Sequence, residues 1–201
     1  MKTAYTLLAA LTLLLGARAF ADAAPEPGYA LAYSDTFDKG ADHFEFTDAK
    51  AWKVAEDNGN KVLSLCGESS YEPKVRSPKC IARLKDFSGE DVIIDVKVRQ
   101  TGREYGHRDA CIFFGYTDPS KFYYVHLATT ADDHANSIFL VNDAPRVSIA
   151  KERTQGTNWT SGFHHLRVKR EGSTGKIEVF FDDMQKPVMR AEDKTLSLIH
   201  I

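Results

Sequence analysis

The residues best suited to chemistry lie between Asp118 and Asn142, in the stretch DPSKFYYVHLATTADDHANSIFLVN. Its first half alternates in character, so that Tyr124 and His126 share one face of a predicted strand. A phenol and an imidazole can hydrogen-bond, stack on a sugar ring or transfer a proton. The loop that follows supplies His134 and Asn136. The sequence therefore predicts a functional sheet face lined by tyrosine and histidine.

These residue types support both binding and catalysis. In a binding module, aromatic rings stack on sugars while charged and amide groups satisfy the hydroxyls. The predicted ligand-binding residues are His107, Arg108, Asp109, Tyr124, His126, His134 and Asn136. In a polysaccharide hydrolase or lyase, His126 and Tyr124 are the catalytic candidates, because either group can remove a proton activated by a neighbouring cation or amide. A structural module of the cell envelope is the third alternative.

Short strands are the elements that must position these residues. The predicted strands are Ala30–Phe37, Trp52–Glu56, Val62–Cys66, Asp91–Arg99, Ala110–Tyr116, Phe122–Ala128, Ser137–Val141, Arg146–Ala150, His164–Arg170, Lys176–Asp182 and Pro187–Ala191. Asn58-Gly59 and the run from Gly172 to Gly175 indicate hairpin turns. No segment after the first twenty residues has a sustained helical period. This pattern predicts an all-β fold, an antiparallel β-sandwich of the jelly-roll kind.

Alternation also assigns inward and outward faces along these strands. In the strand of Tyr124, the residues Tyr123, Val125 and Leu127 form a plain core face. His164 and His165 are neighbours on another strand, so one should face the core and the other solvent. Both histidines are interpreted as structural.

The two ends of the chain carry their own signals. Lys2, an apolar run over residues 7–15 and A-x-A patterns near Ala21 predict a secretory signal peptide over residues 1–21. Residues 22–30 are predicted to form a linker, and residues 31–201 one sandwich domain. The apolar end at Leu196–Ile201 suggests a C-terminal truncation. The predicted location is secreted or periplasmic, with no membrane attachment after signal cleavage.

Charge and cysteine content narrow the partners and the chemistry. The formal net charge of −2 gives no electrostatic reason to expect nucleic acid or an anionic membrane, so carbohydrate is the predicted partner, and the oligomeric state is left open. Three cysteines are present. Cys66 and Cys80 flank a polar loop and are the candidate disulfide, while three free thiols are the alternative.

Four runs carry a resemblance to a known group of proteins: HRDACIFFGYTDPSKFYYVHLATTADDHANSIFLVND, APRVSIAKERTQGTNW, HHLRVKR and GKIEVFFDDMQKPVMRAEDKT. They resemble secreted bacterial proteins with the concanavalin A-like lectin/glucanase fold. The group is close to LamG-type sandwiches and to 3-keto-disaccharide hydrolase-like domains. The resemblance spans roughly Asp35 to Thr195 and implies a concanavalin A-like fold and a role with carbohydrate. It implies no particular active site.

The sequence predicts neither hydrolysis by paired carboxylates nor a zinc site. Laminarinase-type members of this fold carry an E-x-D-x-x-E strand, and the nearest approach here is Glu178 with Asp182. The spacing of cysteines and histidines does not match a zinc pattern. Three adjacent residues, Asp132 to His134, cannot all point at one ion. No cofactor is therefore predicted, while a structural calcium held by acidic loop residues stays open.

Overall fold

The computed structural model describes residues 26–196 and the backbone of residues 199–200. The predicted signal peptide over residues 1–21 lies outside the described residues, as do residues 22–25 of the predicted linker. Part of the apolar C-terminal end, residues 197, 198 and 201, also lies outside them. No helix in the described part of the chain is long and apolar enough to cross a membrane.

Strands dominate the described chain. They are β1 (Phe44–Phe46), β2 (Trp52–Asp57), β3 (Asn60–Leu65), β4 (Ala82–Leu84), β5 (Ser88–Gly89), β6 (Val92–Val98), β7 (Asp109–Asp118), β8 (Lys121–Ala128), β9 (Ser137–Asn142), β10 (Val147–Ser148), β11 (Ala150–Arg153), β12 (His164–Glu171), β13 (Lys176–Phe181), β14 (Met189–Glu192) and β15 (Ile199–His200). One 3-10 turn, Ala49–Ala51, precedes β2.

Two antiparallel sheets form the sandwich. One has the order β10-β9-β8-β7 and the other the order β11-β14-β13-β12-β6, while β1-β4, β2-β3 and β15-β5 form three two-stranded sheets. The predicted antiparallel β-sandwich is therefore confirmed. Apolar burial against the facing sheet is what holds such layers together.

The core lies between the two larger sheets, where the predicted alternation is confirmed. Tyr123, Val125 and Leu127 on β8 are fully buried in the same cluster as Leu166 and Val168 on β12. On β12, His164 is buried and His165 is only partly covered, as the alternation predicts. Each fully buried aliphatic side chain of this kind contributes about 1.5–3 kcal/mol.

The hairpin predictions are also confirmed. β2 pairs with β3 across Asn58 and Gly59, whose φ angles of 52° and 82° suit an Asn-Gly turn. The run from Gly172 to Gly175 connects β12 to β13. Both turns carry the residues that accept left-handed backbone at low cost.

Two strand predictions are wrong in instructive ways. Residues 30–37 form no strand, because Asp35 accepts a hydrogen bond from the Phe37 N–H at 2.6 Å and Phe37 turns to a φ of 60°. The predicted strand Arg146–Ala150 is divided. β10 pairs with β9, and the chain then crosses at Ile149, so that β11 pairs with β14 in the other sheet.

The predicted disulfide is also wrong, because all three cysteines are free thiols in the structure. Cys66 is exposed, and its N–H donates to the carbonyl of Ala51 at 2.7 Å. Cys80 lies between two residues, Lys79 and Ile81, that are both hydrogen-bonded to Thr47. Neither thiol takes part in a disulfide in the structure, so the alternative of three free thiols describes it.

Candidate functional site

The face of the four-stranded sheet that points away from the core is aromatic and mostly covered. Phe122, Tyr124, Phe139 and Val141 form a separate buried cluster there, and Val75 from the segment between β3 and β4 packs on it. The rings of Tyr124 and Phe139 stack with their centroids 5.2 Å apart. We call this surface the aromatic face.

Tyr124 and His126 lie on this face with ring centroids 6.5 Å apart. Tyr124 has no exposed surface, and its hydroxyl accepts a hydrogen bond from Arg146 at 2.8 Å. Burial also raises the pKa of this phenol above its usual value of 10.0. In this conformation the ring contacts protein on both sides, so it offers no surface to a sugar.

Arg146 links the aromatic face to the loop between β8 and β9. Its guanidinium lies 5.0 Å from the centre of the Phe139 ring and donates to the His134 carbonyl at 3.0 Å. The His134 side chain is exposed. His134 is therefore brought to the edge of this face through its backbone, while its imidazole stays free of the contacts that bury Tyr124.

Two of the predicted ligand-binding residues are occupied by structural hydrogen bonds. Arg108 is 6 % exposed, and it donates to the carbonyls of Gln100 at 2.7 Å and Thr160 at 3.1 Å. Asn136 is fully buried, and its amide donates to the Thr154 carbonyl at 2.9 Å. Both side chains tie loops together rather than face solvent.

His126 and Asp109 form the most unusual polar contact of this sheet. Nε2 of His126 lies 2.6 Å from a carboxylate oxygen of Asp109, so this nitrogen carries the donated proton. The other ring nitrogen, Nδ1, is buried and has no hydrogen-bond partner. An unsatisfied buried polar atom costs about 1–3 kcal/mol, which is a reason to look for a function.

The register of the sheet adds a cysteine to this pair. Cys111 lies directly opposite His126 across the β7–β8 ladder, and Asp109 is two residues before it on the same strand face. One ligand atom from each of the three side chains lies within 4.8 Å of the others. Burial, and then the charge of Asp109, raise the pKa of the Cys111 thiol. Sequence spacing did not identify this trio, although a D-x-C pattern opposite a histidine was its signal.

A second histidine–aspartate pair lies at the same end of the sheet and is open to solvent. Nε2 of His107 lies 2.6 Å from a carboxylate oxygen of Asp132, and both side chains are more than 40 % exposed. The Asp132 carboxylate also accepts from the His134 N–H, and this bond, followed by the one from His107, holds the pKa of Asp132 below its ordinary value. Its charge therefore persists into mildly acidic solution.

An exposed aromatic ring accompanies this second pair. Tyr105 is 50 % exposed, and its ring stacks on that of His107 with centroids 6.4 Å apart. The Arg103 guanidinium lies 4.8 Å from the same ring and is itself exposed. We call Tyr105, His107 and Asp132 the polar rim. Of these three residues, the sequence predicted only His107 as a ligand-binding residue; all three lie in loops, where no periodicity marks exposed side chains.

The backbone of the polar rim is held by the segment that follows β11. The N–H of Ala131 donates to the Gln155 carbonyl, and the N–H of Thr157 donates to the Ala128 carbonyl, both at 2.9 Å. Between these contacts, Gly156 has a φ of 154°, and a Cβ there would meet the Thr129 carbonyl oxygen at 1.9 Å. The close approach requires glycine.

Comparisons with known proteins are consistent with the fold. No protein-family model matches the chain, and no curated protein matches it. Among solved structures, it is similar to the carbohydrate-binding module CBM66 from Bacillus subtilis, with a TM-score of 0.50. The match covers 78 % of this chain and 83 % of that chain at 15 % sequence identity. At this identity the similarity shows a shared β-sandwich fold.

Proposed function

We propose that this protein is a carbohydrate-binding module and that its ligand lies on the polar rim. The observation that carries the proposal is the exposed Tyr105 ring beside the His107–Asp132 pair. A sugar presents an apolar ring face to an aromatic side chain and its hydroxyls to charged donors and acceptors. The fold shared with a carbohydrate-binding module supports this proposal without specifying a sugar.

The proposed site differs from the sheet face predicted by the sequence. Tyr124 lies under the aromatic face with its hydroxyl bound by Arg146, whereas Tyr105 has half of its surface in solvent. Arg103 covers part of the Tyr105 ring, but an exposed cation–π contact is worth only about 0.5–1 kcal/mol, so a sugar can displace it. Of the predicted set, His107 lies in the proposed site and His134 lies beside it, whereas Asp109 is paired with His126.

Export to the periplasm or the medium is part of the same proposal. A polysaccharide ligand outside the cell fits the secretory signal predicted over residues 1–21. The resemblance to secreted proteins of the concanavalin A-like fold also fits such a ligand. The polar rim does not require a disulfide or a membrane anchor. Fractionation of cells that express the full chain, followed by mass measurement of the exported form, tests this part directly.

The experiment for the binding site is a polysaccharide screen with the full chain. Affinity electrophoresis in gels containing neutral or acidic polysaccharides identifies the ligand class, and calorimetry gives the dissociation constant. Tyr105→Ala should weaken binding about 10-fold or more, because the stacked surface is lost. His107→Ala should weaken it about 5-fold through a lost hydrogen bond.

Tyr29→Ala is the matched control. Tyr29 also lies under a cation, with Lys169 Nζ 5.5 Å from its ring, but it belongs to the outer side of the five-stranded sheet. The Tyr29→Ala substitution should leave the affinity for the polysaccharide unchanged. Unchanged affinity in the Tyr105→Ala protein would overturn the rim as the site. Release of sugar fragments in the same screen would favour the hydrolase or lyase alternative built on His126 and Tyr124.

A further inference from the structure

We propose that Asp109, Cys111 and His126 form a binding site for a transition-metal ion of the zinc class. The three residues lie where β7 and β8 pair, and one ligand atom from each lies within 4.8 Å of the others. This inference is independent of the polar rim, which uses other side chains. Either site could exist without the other.

The donor set selects the class of metal. A thiolate, an imidazole and a carboxylate are the ligands that zinc and its neighbours take, and calcium and magnesium instead take oxygen alone. Thiolate and carboxylate together carry two negative charges, which a divalent ion neutralises. Three protein ligands leave one tetrahedral position for water or an external ligand.

The two ring nitrogens of His126 play different parts: Nε2 faces Asp109 and is the atom that would bind an ion together with that carboxylate, whereas Nδ1 points to another side of the ring. The side chain is 9 % exposed, so its Nδ1 has no access to bulk water, and no hydrogen bond reaches it. This atom is therefore a separate unsatisfied group beside the site, and the metal proposal rests on the clustering of the three ligand atoms. Among the described residues it is the only unpartnered buried atom that belongs to a metal-ligand side chain.

The geometry needs only small side-chain shifts to hold an ion. Ligand atoms around tetrahedral zinc lie about 3.3–3.6 Å apart, given bond lengths of about 2.0–2.3 Å. A pair of ligand atoms as far apart as 4.8 Å must close by about 1 Å, and the 2.6 Å contact between His126 Nε2 and Asp109 must open by about 1 Å as the ion replaces the shared proton. Side-chain rotation on neighbouring strands can supply both shifts. The side chain of Asp109 is 33 % exposed and gives an ion a route from solvent.

The surroundings favour a thiolate once an ion is present. Arg146 acts electrostatically on Cys111 and opposes the effect of burial on its pKa. A coordinated thiol is deprotonated by the metal itself, so the protonated resting thiol is no obstacle. A protonated, partly buried thiol is by contrast a poor nucleophile, which argues against a cysteine-based catalytic triad in the same three residues.

The test is a titration of the purified, chelator-treated full chain with Co²⁺, followed by displacement with Zn²⁺. We expect one equivalent of Co²⁺ to bind with a thiolate-to-cobalt charge-transfer band, which disappears as Zn²⁺ replaces it. Cys111→Ser should abolish the band, and His126→Gln and Asp109→Asn should each weaken affinity at least about 10-fold.

Two matched variants make the assignment specific. Cys66→Ser removes another free thiol, and His165→Gln removes another histidine paired with an aspartate, Asp95. Both should bind Co²⁺ like the wild type. No band in the wild type, or a band that survives Cys111→Ser, would overturn the proposal. Asp109→Asn alters a partly exposed side chain, so it remains informative even if Cys111→Ser and His126→Gln fail to fold.

Discussion

Two buried histidines, His164 in the five-stranded sheet and His126 in the four-stranded sheet, are each paired with an aspartate, but only one has both nitrogens occupied. His164 Nδ1 lies 2.7 Å from Asp182, and its Nε2 accepts the Thr160 N–H at 2.9 Å. His126 Nε2 lies 2.6 Å from Asp109, and its Nδ1 has no partner. Both residues are less than 8 % exposed.

The difference separates a structural histidine from a functional candidate. His164 also stacks on Phe181 with centroids 4.7 Å apart, so every part of its ring contributes to packing or hydrogen bonding. His126 leaves part of its hydrogen-bonding capacity unused inside the protein. Burial and an acidic partner are therefore weak signs of function, and an unfilled second nitrogen is the stronger one.

His164→Phe should produce the largest effect, a loss of about 2–3 kcal/mol in the free energy of unfolding. The phenyl ring keeps the stacking on Phe181 but leaves the Thr160 N–H and the Asp182 carboxylate without their partner. Urea denaturation measures the change. If the free energy of unfolding fell by less than about 0.5 kcal/mol, as for a neutral surface substitution, His164 would have no structural role.

Asp182→Ala should cost about 2 kcal/mol. The side chain accepts from His164 and from the His165 N–H, and the residue has a φ of 59°, which alanine adopts poorly. Asp182→Gly is the control, because glycine relieves the backbone strain and isolates the loss of the hydrogen bonds. Equal stability of the two variants would show that backbone strain contributes nothing here.

His126→Phe should cost no more than about 1 kcal/mol in metal-free protein. The substitution removes a buried nitrogen that has no partner, and the freed Asp109 carboxylate is partly exposed and can be hydrated. Thermal unfolding in the presence of a chelator measures it. If His126→Phe cost as much as His164→Phe, the contrast between the two pairs would be refuted.

The smallest expected effect concerns Tyr124, the neighbour of His126. Burial raises the pKa of this phenol in the folded protein above its usual 10.0, so the unfolded chain loses the proton first as pH rises. The free energy of unfolding therefore keeps the full contribution of the protonated Tyr124 well below pH 10 and decreases as pH rises above it. At pH 10 the wild type should lose about 0.4 kcal/mol relative to Tyr124→Phe. A pH-independent difference between the two proteins would contradict this.

Much of the sandwich could be predicted from alternation, because period-two patterns report burial directly. The inward face of β8 and the opposite orientations of His164 and His165 followed from that rule alone. The failed strand over residues 30–37 shows its limit. There a local hydrogen bond from the Phe37 N–H to the Asp35 carboxylate competes with strand pairing, and the pattern of apolar residues alone does not reveal it.

The site was less predictable, because it depends on the register between strands and on which residues from other segments pack over the sheet. Alternation places Tyr124 and His126 together, but it does not show that Val75 packs on the aromatic face or that Arg146 donates to the Tyr124 hydroxyl. The Cys111–His126 juxtaposition requires the β7–β8 register, which an irregularity between Phe114 and Asp118 shifts. The polar rim joins loop residues whose meeting depends on tertiary contacts, and no sequence period encodes them.

Gly156 couples the loop of Asp132 to the segment after β11 through a backbone contact that one added carbon atom would break. A methyl group at this position would push directly on the Thr129 carbonyl, three residues before Asp132 in the same loop. Any larger residue would have to displace that loop as a unit. A substitution at residue 156 should therefore disturb Asp132 and the rest of the polar rim through the backbone, without removing any of the side chains of the rim.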